Sequence, residues 1–133
     1  MKVNSPKTTI EAPNRKIFEM MSDCSRFGEV VPEQFSDWEA GEDYFRFSFQ
    51  GLVTMTLRIA EKTEYSKIVY SAENTQNIPA FITIDIDGDD RKCDVEVGID
   101  IEVPVFLSGM VKKPLQNFVD KAVEKMKIVA EKQ

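Results

Sequence analysis

The chain contains no histidine. Histidine is the side chain whose charge changes closest to neutral pH, and it is the commonest metal ligand. Its absence excludes Ser-His-Asp and Cys-His nucleophile systems and most zinc sites. Acid–base chemistry would fall to carboxylates, Tyr, Lys, Arg or a cofactor, so the expectation leans toward a binding protein rather than an enzyme. Cysteine is scarce too: Cys24 and Cys93 stand far apart, without a CxxC pattern, and read as two free thiols rather than a redox or metal motif. Cationic charge is short, with 17 Lys and Arg against 23 Asp and Glu and a formal net charge of −6. Nucleic acids and anionic membranes demand clustered Lys and Arg. The one basic doublet without nearby acids, Lys112-Lys113, is too small for such a site, so no nucleic acid is expected as a partner. No apolar run approaches the roughly 20 residues needed to span a bilayer, and the N-terminus lacks the apolar region of a secretory signal. The expected location is cytoplasmic, without stable membrane insertion.

What is present is a change of hydrophobic period. At 133 residues the chain is expected to form a single domain covering residues 1–133, with no repeat or linker. After an extended, Thr-rich segment from Val3 to Glu11, Pro13 opens a helix over Asn14 to Ser22 whose apolar face is Ile17, Phe18, Met20 and Met21. A second short helix is expected through Arg26 to Val30, capped by Asp23 or Ser25 and closed by Pro32. The period then becomes 2. Phe45, Phe47 and Phe49 alternate with polar residues, as do Val53, Met55, Leu57 and Ile59, then Ile82, Ile84 and Ile86, and lastly Val95 to Val103. With Trp38–Ala40 and the N-terminal segment this makes about seven strands, five of them in one antiparallel meander with one wet and one dry face. From Pro114 onward, Leu115, Phe118, Val119, Ala122, Val123, Met126, Val129 and Ala130 keep helical spacing. That stripe must be buried, and the dry face of the sheet is the surface wide enough to bury it. The fold class is α+β, in the order β-α-α-β-β-β-β-β-β-α.

Nine consecutive positions, Val103 to Val111, carry no charge. Gly109 interrupts this run and Pro114 follows it, so it reads either as a hinged gate or as a plug for one end of the sheet. Met20, Met21, Met55, Met110 and Met126 suit a pocket of adaptable shape, although ordinary core filling accounts for each singly. The acidic run Asp85 to Asp94 places Gly88 at its fourth position, where a calcium-binding EF-hand loop requires glycine at the sixth, and reads as a solvated hairpin turn. Glu29, Glu39, Glu73, Asp85 and Asp100 show no defined pairing, so no catalytic residue, metal ligand or cofactor site is assigned. Tyr70, flanked by Ile68 and Ala72 on one strand face, is the expected polar handle in any pocket.

The segments Ile10 to Phe18 (IEAPNRKIF), Met21 to Asp23 (MSD) and Pro114 to Phe118 (PLQNF), in this order of elements, resemble the helix-grip fold of the START-like superfamily, also called SRPBCC. That group includes birch-pollen-allergen-type proteins, polyketide cyclases and lipid-transfer domains. The resemblance spans essentially the whole chain, and its marks are packing and capping features rather than catalytic ones. It implies a curved sheet wrapped around the last helix, with a cavity between them for a small hydrophobic or amphipathic molecule. Phe27, Phe45, Phe47, Met55, Leu57, Tyr70, Ile84, Val97, Ile99, Phe106, Met110 and Phe118 are the residues expected to line it, and Val53 and Ile101 face the same way. Val105, Phe106, Leu107, Met110 and Val111 would lie at its mouth or upper wall. The resemblance also leaves open a polyketide cyclase or dehydratase-like enzyme and a module that docks chaperones or ribosomal partners.

Overall fold

The computed structural model describes residues 1–29, 38–49, 53–74 and 77–132. Val30, Pro32 and Gln50 lie outside them, and so do the side chains of Phe49, Val53 and Leu107. The strands are β1 (Lys2–Asn4), β2 (Thr8–Ile10), β3 (Glu39–Ala40), β4 (Phe45–Phe49), β5 (Val53–Thr63), β6 (Lys67–Asn74), β7 (Ala80–Gly88) and β8 (Cys93–Ile101). Helix α1 (Asn14–Met21) and a 3₁₀ segment (Cys24–Glu29) follow β2, and α2 (Val105–Lys132) closes the chain. One antiparallel sheet runs β1-β8-β7-β6-β5-β4-β3, with β2 also paired to β8. The expected meander is therefore β4 to β8.

The N-terminal segment forms two strands on β8 rather than one, and Ser5 is the reason. Pro6 has no N–H to give the ladder. Ser5 sits buried between the strands: its N–H donates to the Val97 carbonyl (2.8 Å), and its hydroxyl accepts from the Val97 N–H (2.9 Å). Both Val97 backbone groups are thus satisfied across the break. A register shift between Ile59 and Glu61 on β5 puts an extra residue opposite β6, a device that bends and twists a strand. The acidic run forms the β7–β8 turn, where the Asp89 carboxylate accepts from the N–H groups of Arg91 (2.8 Å) and Lys92 (3.2 Å). Those two bonds hold its pKa below the ordinary carboxylate value.

The alternation places Phe45, Phe47, Leu57, Ile68, Tyr70, Ile82, Ile84, Val95, Val97 and Ile99 inward, all buried. Leu115, Val119, Ala122, Val123, Met126 and Ala130 of α2 press onto that face. The back of α2 is tied down: Lys16 Nζ donates to the Ala130 carbonyl (2.7 Å), Lys127 Nζ to Thr9 O (2.9 Å), and the Glu11 N–H to Glu131 Oε2 (2.8 Å). A cation at the carbonyl end of a helix also complements its dipole.

The front of α2 corrects the sequence reading. The helix begins at Val105, directly after Pro104, not at Pro114, which lies inside it. Pro114 leaves the Met110 carbonyl without its usual N–H partner one turn later, yet the half-exposed proline ring is accommodated without ending the helix. Val105, Phe106 and Met110 are 89%, 81% and 72% exposed. These three side chains project into solvent and do not plug the sheet, whereas Val111 packs against the core. Among the described residues, no helix is long and apolar enough to cross a membrane.

Candidate functional site

An apolar cavity of about 50 Å³ lies between the sheet and α2. Its floor is Phe45 and Phe47 of β4, Leu57 of β5, Tyr70 of β6, Ile82 and Ile84 of β7 and Val97 of β8; its roof is Phe118, Ala122 and Met126 of α2. Met21, at the end of α1, and Phe27, in the 3₁₀ segment, close one end. A second compartment of about 20 Å³ adjoins it, lined by Phe47, Met55, Ile82, Ile99, Ile101, Leu115 and Phe118. Ten of the twelve residues expected at a site meet here: Phe27, Phe45, Phe47, Leu57, Tyr70, Ile84, Val97 and Phe118 in the larger compartment, Met55 and Ile99 in the smaller. Phe106 and Met110 line neither. They sit on the solvent-facing side of α2, about three and two turns ahead of Phe118, because the stripe that faces the sheet passes through Leu115, Val119 and Met126 instead.

In the larger compartment, the lining residues left out of the sequence list are Met21, Ile82, Ala122 and Met126. Three of them carried a usable signal. Ile82 shares the face of Ile84, and Ala122 and Met126 follow Phe118 at successive i+4 steps. Met21 carried only the general signal of an adaptable thioether, because its position depends on how α1 docks at the end of the sheet.

A chain of aromatic contacts runs along the cavity. Tyr70 and Phe27 meet edge to face (5.3 Å, 86°), Phe27 and Phe45 are tilted (5.6 Å, 55°), Phe45 and Phe47 follow at 5.9 Å, and Phe47 and Phe118 stack at 5.9 Å and 7°. Trp38 stacks on Phe45 from the other side (5.6 Å, 26°). Gly28 permits this: a Cβ there would meet the indole at 2.5 Å.

Tyr70 does not carry a free polar handle. Its hydroxyl donates to the Met21 carbonyl, one of the last-turn carbonyls that α1 cannot satisfy internally. Burial, and secondarily the charge on a neighbouring ionised Cys24, pushes the phenol well above its ordinary pKa. It stays neutral through the physiological range. Cys24 and Cys93 are buried, and their pKa values are raised chiefly by burial, that of Cys93 to about 11. Neither thiol lines the cavity. Among the described residues no buried side-chain N or O atom lacks a partner, and no three His, Cys, Asp or Glu groups converge on a metal position.

Size sets a further constraint. At roughly 24 cal/mol per Å³, a void of this volume costs about 1 kcal/mol, whereas an empty 300 Å³ cavity would cost about 7. The latter approaches the whole stability of a small domain, about 5–15 kcal/mol. The sheet and helix have therefore closed to a remnant.

No family model and no curated protein matches the sequence. Solved structures do match the architecture. A conserved protein from Geobacillus kaustophilus superposes over 99% of this chain and 96% of its own, with a TM-score of 0.72 and 14% identity. A START superfamily protein from Mycobacterium smegmatis does so over 98% and 97%, with a TM-score of 0.74 and 16% identity. The chain has a START-like fold. A protein of the dynemicin biosynthetic locus matches 98% of this chain and 47% of its own at a TM-score of 0.64 and 12% identity, so this START-like domain spans about half of that protein. At such identities the likeness concerns the fold, and function must be argued from the site.

Proposed function

We propose that this START-like protein binds a small apolar molecule between its sheet and α2. The observation that carries the reading is the cavity between the two layers, lined by apolar side chains and rings from both short helical elements, five strands and α2. Well-packed interiors leave few voids larger than a water molecule, and concave apolar sites are where small ligands are held. Affinity would come from apolar burial at roughly 25 cal/mol per Å². An acid–base enzyme is less well supported, because no carboxylate lines the cavity and its single hydroxyl is committed to Met21.

The test is native and denaturing mass spectrometry of freshly purified protein. A reproducible extra mass that disappears on denaturation is expected. A clean apo mass, unshifted by fatty acids, quinones and aromatic polyketides, would end the ligand-binding reading.

One observation favours a second reading, docking onto a protein partner. Val105, Phe106 and Met110 are more exposed than any other large hydrophobic side chain described, and grouped exposed apolar residues mark interaction sites. A pull-down lost with Phe106→Asp and Met110→Asp, while ligand binding persists, would support it over the first.

A further inference from the structure

The two compartments share three lining residues, Phe47, Ile82 and Phe118. Phe47 and Phe118 are the stacked pair, their rings 7° from parallel. This pair stands where the compartments adjoin and divides one elongated space under α2 into two small ones. The two rings are not equivalent. Phe47 is 3% exposed on a strand in the middle of an antiparallel pairing, between β3 and β5. Phe118 is only partly buried and rides on α2. It is also one turn past Pro114, where the helix ladder lacks a bond.

We infer that Phe118 is a movable partition, and that the ligand is an uncharged, flat aromatic molecule whose ring takes the place of the Phe118 ring against Phe47. This deepens the ligand-binding reading and rests on it. As they stand, compartments of about 50 and 20 Å³ fall short of the roughly 150 Å³ that holds benzene in an apolar protein cavity. Swinging Phe118 toward solvent joins them and adds the volume of its own ring. The parallel stacking geometry on Phe47 is left for a flat replacement, and offset-stacked rings are a favoured aromatic arrangement. The lining supplies no cation for a carboxylate and no unpaired polar atom for a hydroxyl, so a charged or strongly hydrogen-bonding ligand would lose its hydration without compensation.

The test titrates naphthalene and decanoate calorimetrically into the wild type and into Phe118→Ala, Phe118→Leu and Phe118→Trp, with circular dichroism confirming each fold. Naphthalene should bind the wild type saturably and Phe118→Ala roughly 10-fold more tightly, a difference of about 1.4 kcal/mol. Phe118→Leu, which keeps apolar bulk without the flat ring, should fall between them, and it serves alone if the alanine variant does not fold. Phe118→Trp should bind more weakly than the wild type. Decanoate should not saturate any of them. Equal naphthalene affinity across the series would overturn the partition while leaving cavity binding in place. Decanoate binding as tightly as naphthalene would overturn the ligand class alone. Folded variants that bind neither probe would overturn both the inference and the reading beneath it.

Discussion

Tyr70→Phe separates a role in folding from a role in binding. The phenol is 1% exposed, and its hydroxyl donates to the Met21 carbonyl, pinning the end of α1 onto the middle of the sheet. Removing the oxygen keeps the ring and its edge-to-face contact with Phe27 at 5.3 Å. It leaves a buried carbonyl unpaired, which costs about 1–3 kcal/mol. Taking about 2 kcal/mol and roughly 4 °C per kcal/mol for a domain of this size, the melting temperature should drop by roughly 8 °C. Affinity for an apolar ligand should hold, because the hydroxyl is already spent. The assay is urea or thermal unfolding followed by circular dichroism, paired with a ligand titration at a temperature where both proteins are folded. The pH dependence adds a signed check. The folded phenol ionises well above its ordinary value of 10. Its contribution is therefore complete below pH 10 and is lost as the pH rises further, because the unfolded chain releases that proton first. Tyr70→Phe should remove this alkaline loss. If the variant unfolds like the wild type but no longer binds ligand, the hydroxyl serves the ligand and the assignment made here is wrong.

Cys93 offers a parallel case. Burial raises its thiol from 9.0 to about 11, so its protonated form stabilises the fold below pH 9, and roughly 2 kcal/mol is lost by pH 11. In urea unfolding, the stability gap between the wild type and Cys93→Ala should narrow by roughly 2 kcal/mol from pH 8 to pH 10.5; a constant gap would refute the linkage. Phe106→Asp and Met110→Asp should change stability by no more than about 0.5 kcal/mol and leave ligand affinity unaltered, since both side chains lie in solvent outside the cavity. A clear drop in affinity would restore their part in a gate. Asp87 lies directly opposite Asp94 across the β7–β8 ladder, and like charges there cost about 0.2–1 kcal/mol. Asp87→Lys should recover that amount at low ionic strength and progressively less as salt rises, as read from unfolding midpoints at both salt levels.

Much of the architecture follows from local pattern. Alternation in β4, β7 and β8 has a period of 2, and the inward residues it marks among the described side chains are buried, except Ile101 at the end of β8, which is partly buried. The α2 stripe from Leu115 to Ala130 has a helical period and is buried too, apart from Phe118 and Val129, which are partly buried. Such patterns are legible because burying one face is a requirement on every element separately, whatever its neighbours are. The same logic singled out ten of the cavity residues, since whatever faces inward near the middle of the sheet also faces the space under α2. It failed where an outcome depends on two distant elements at once. Pro114 reads as a helix start from its neighbours, but the helix runs through it because its ring finds room on the partly exposed side of α2. The apolar run ahead of it reads as an inward wall, yet Phe106 and Met110 project into solvent, on the side of α2 away from the stripe that faces the sheet. Tyr70 reads as a polar handle, and only the docking of α1 brings the Met21 carbonyl within its reach. Sequence by itself determined which faces must be hidden. The tertiary structure alone decided how tightly the hidden faces meet, and with it the volume left between them, because a cavity is a difference between the shapes of two packed surfaces and is encoded in neither one.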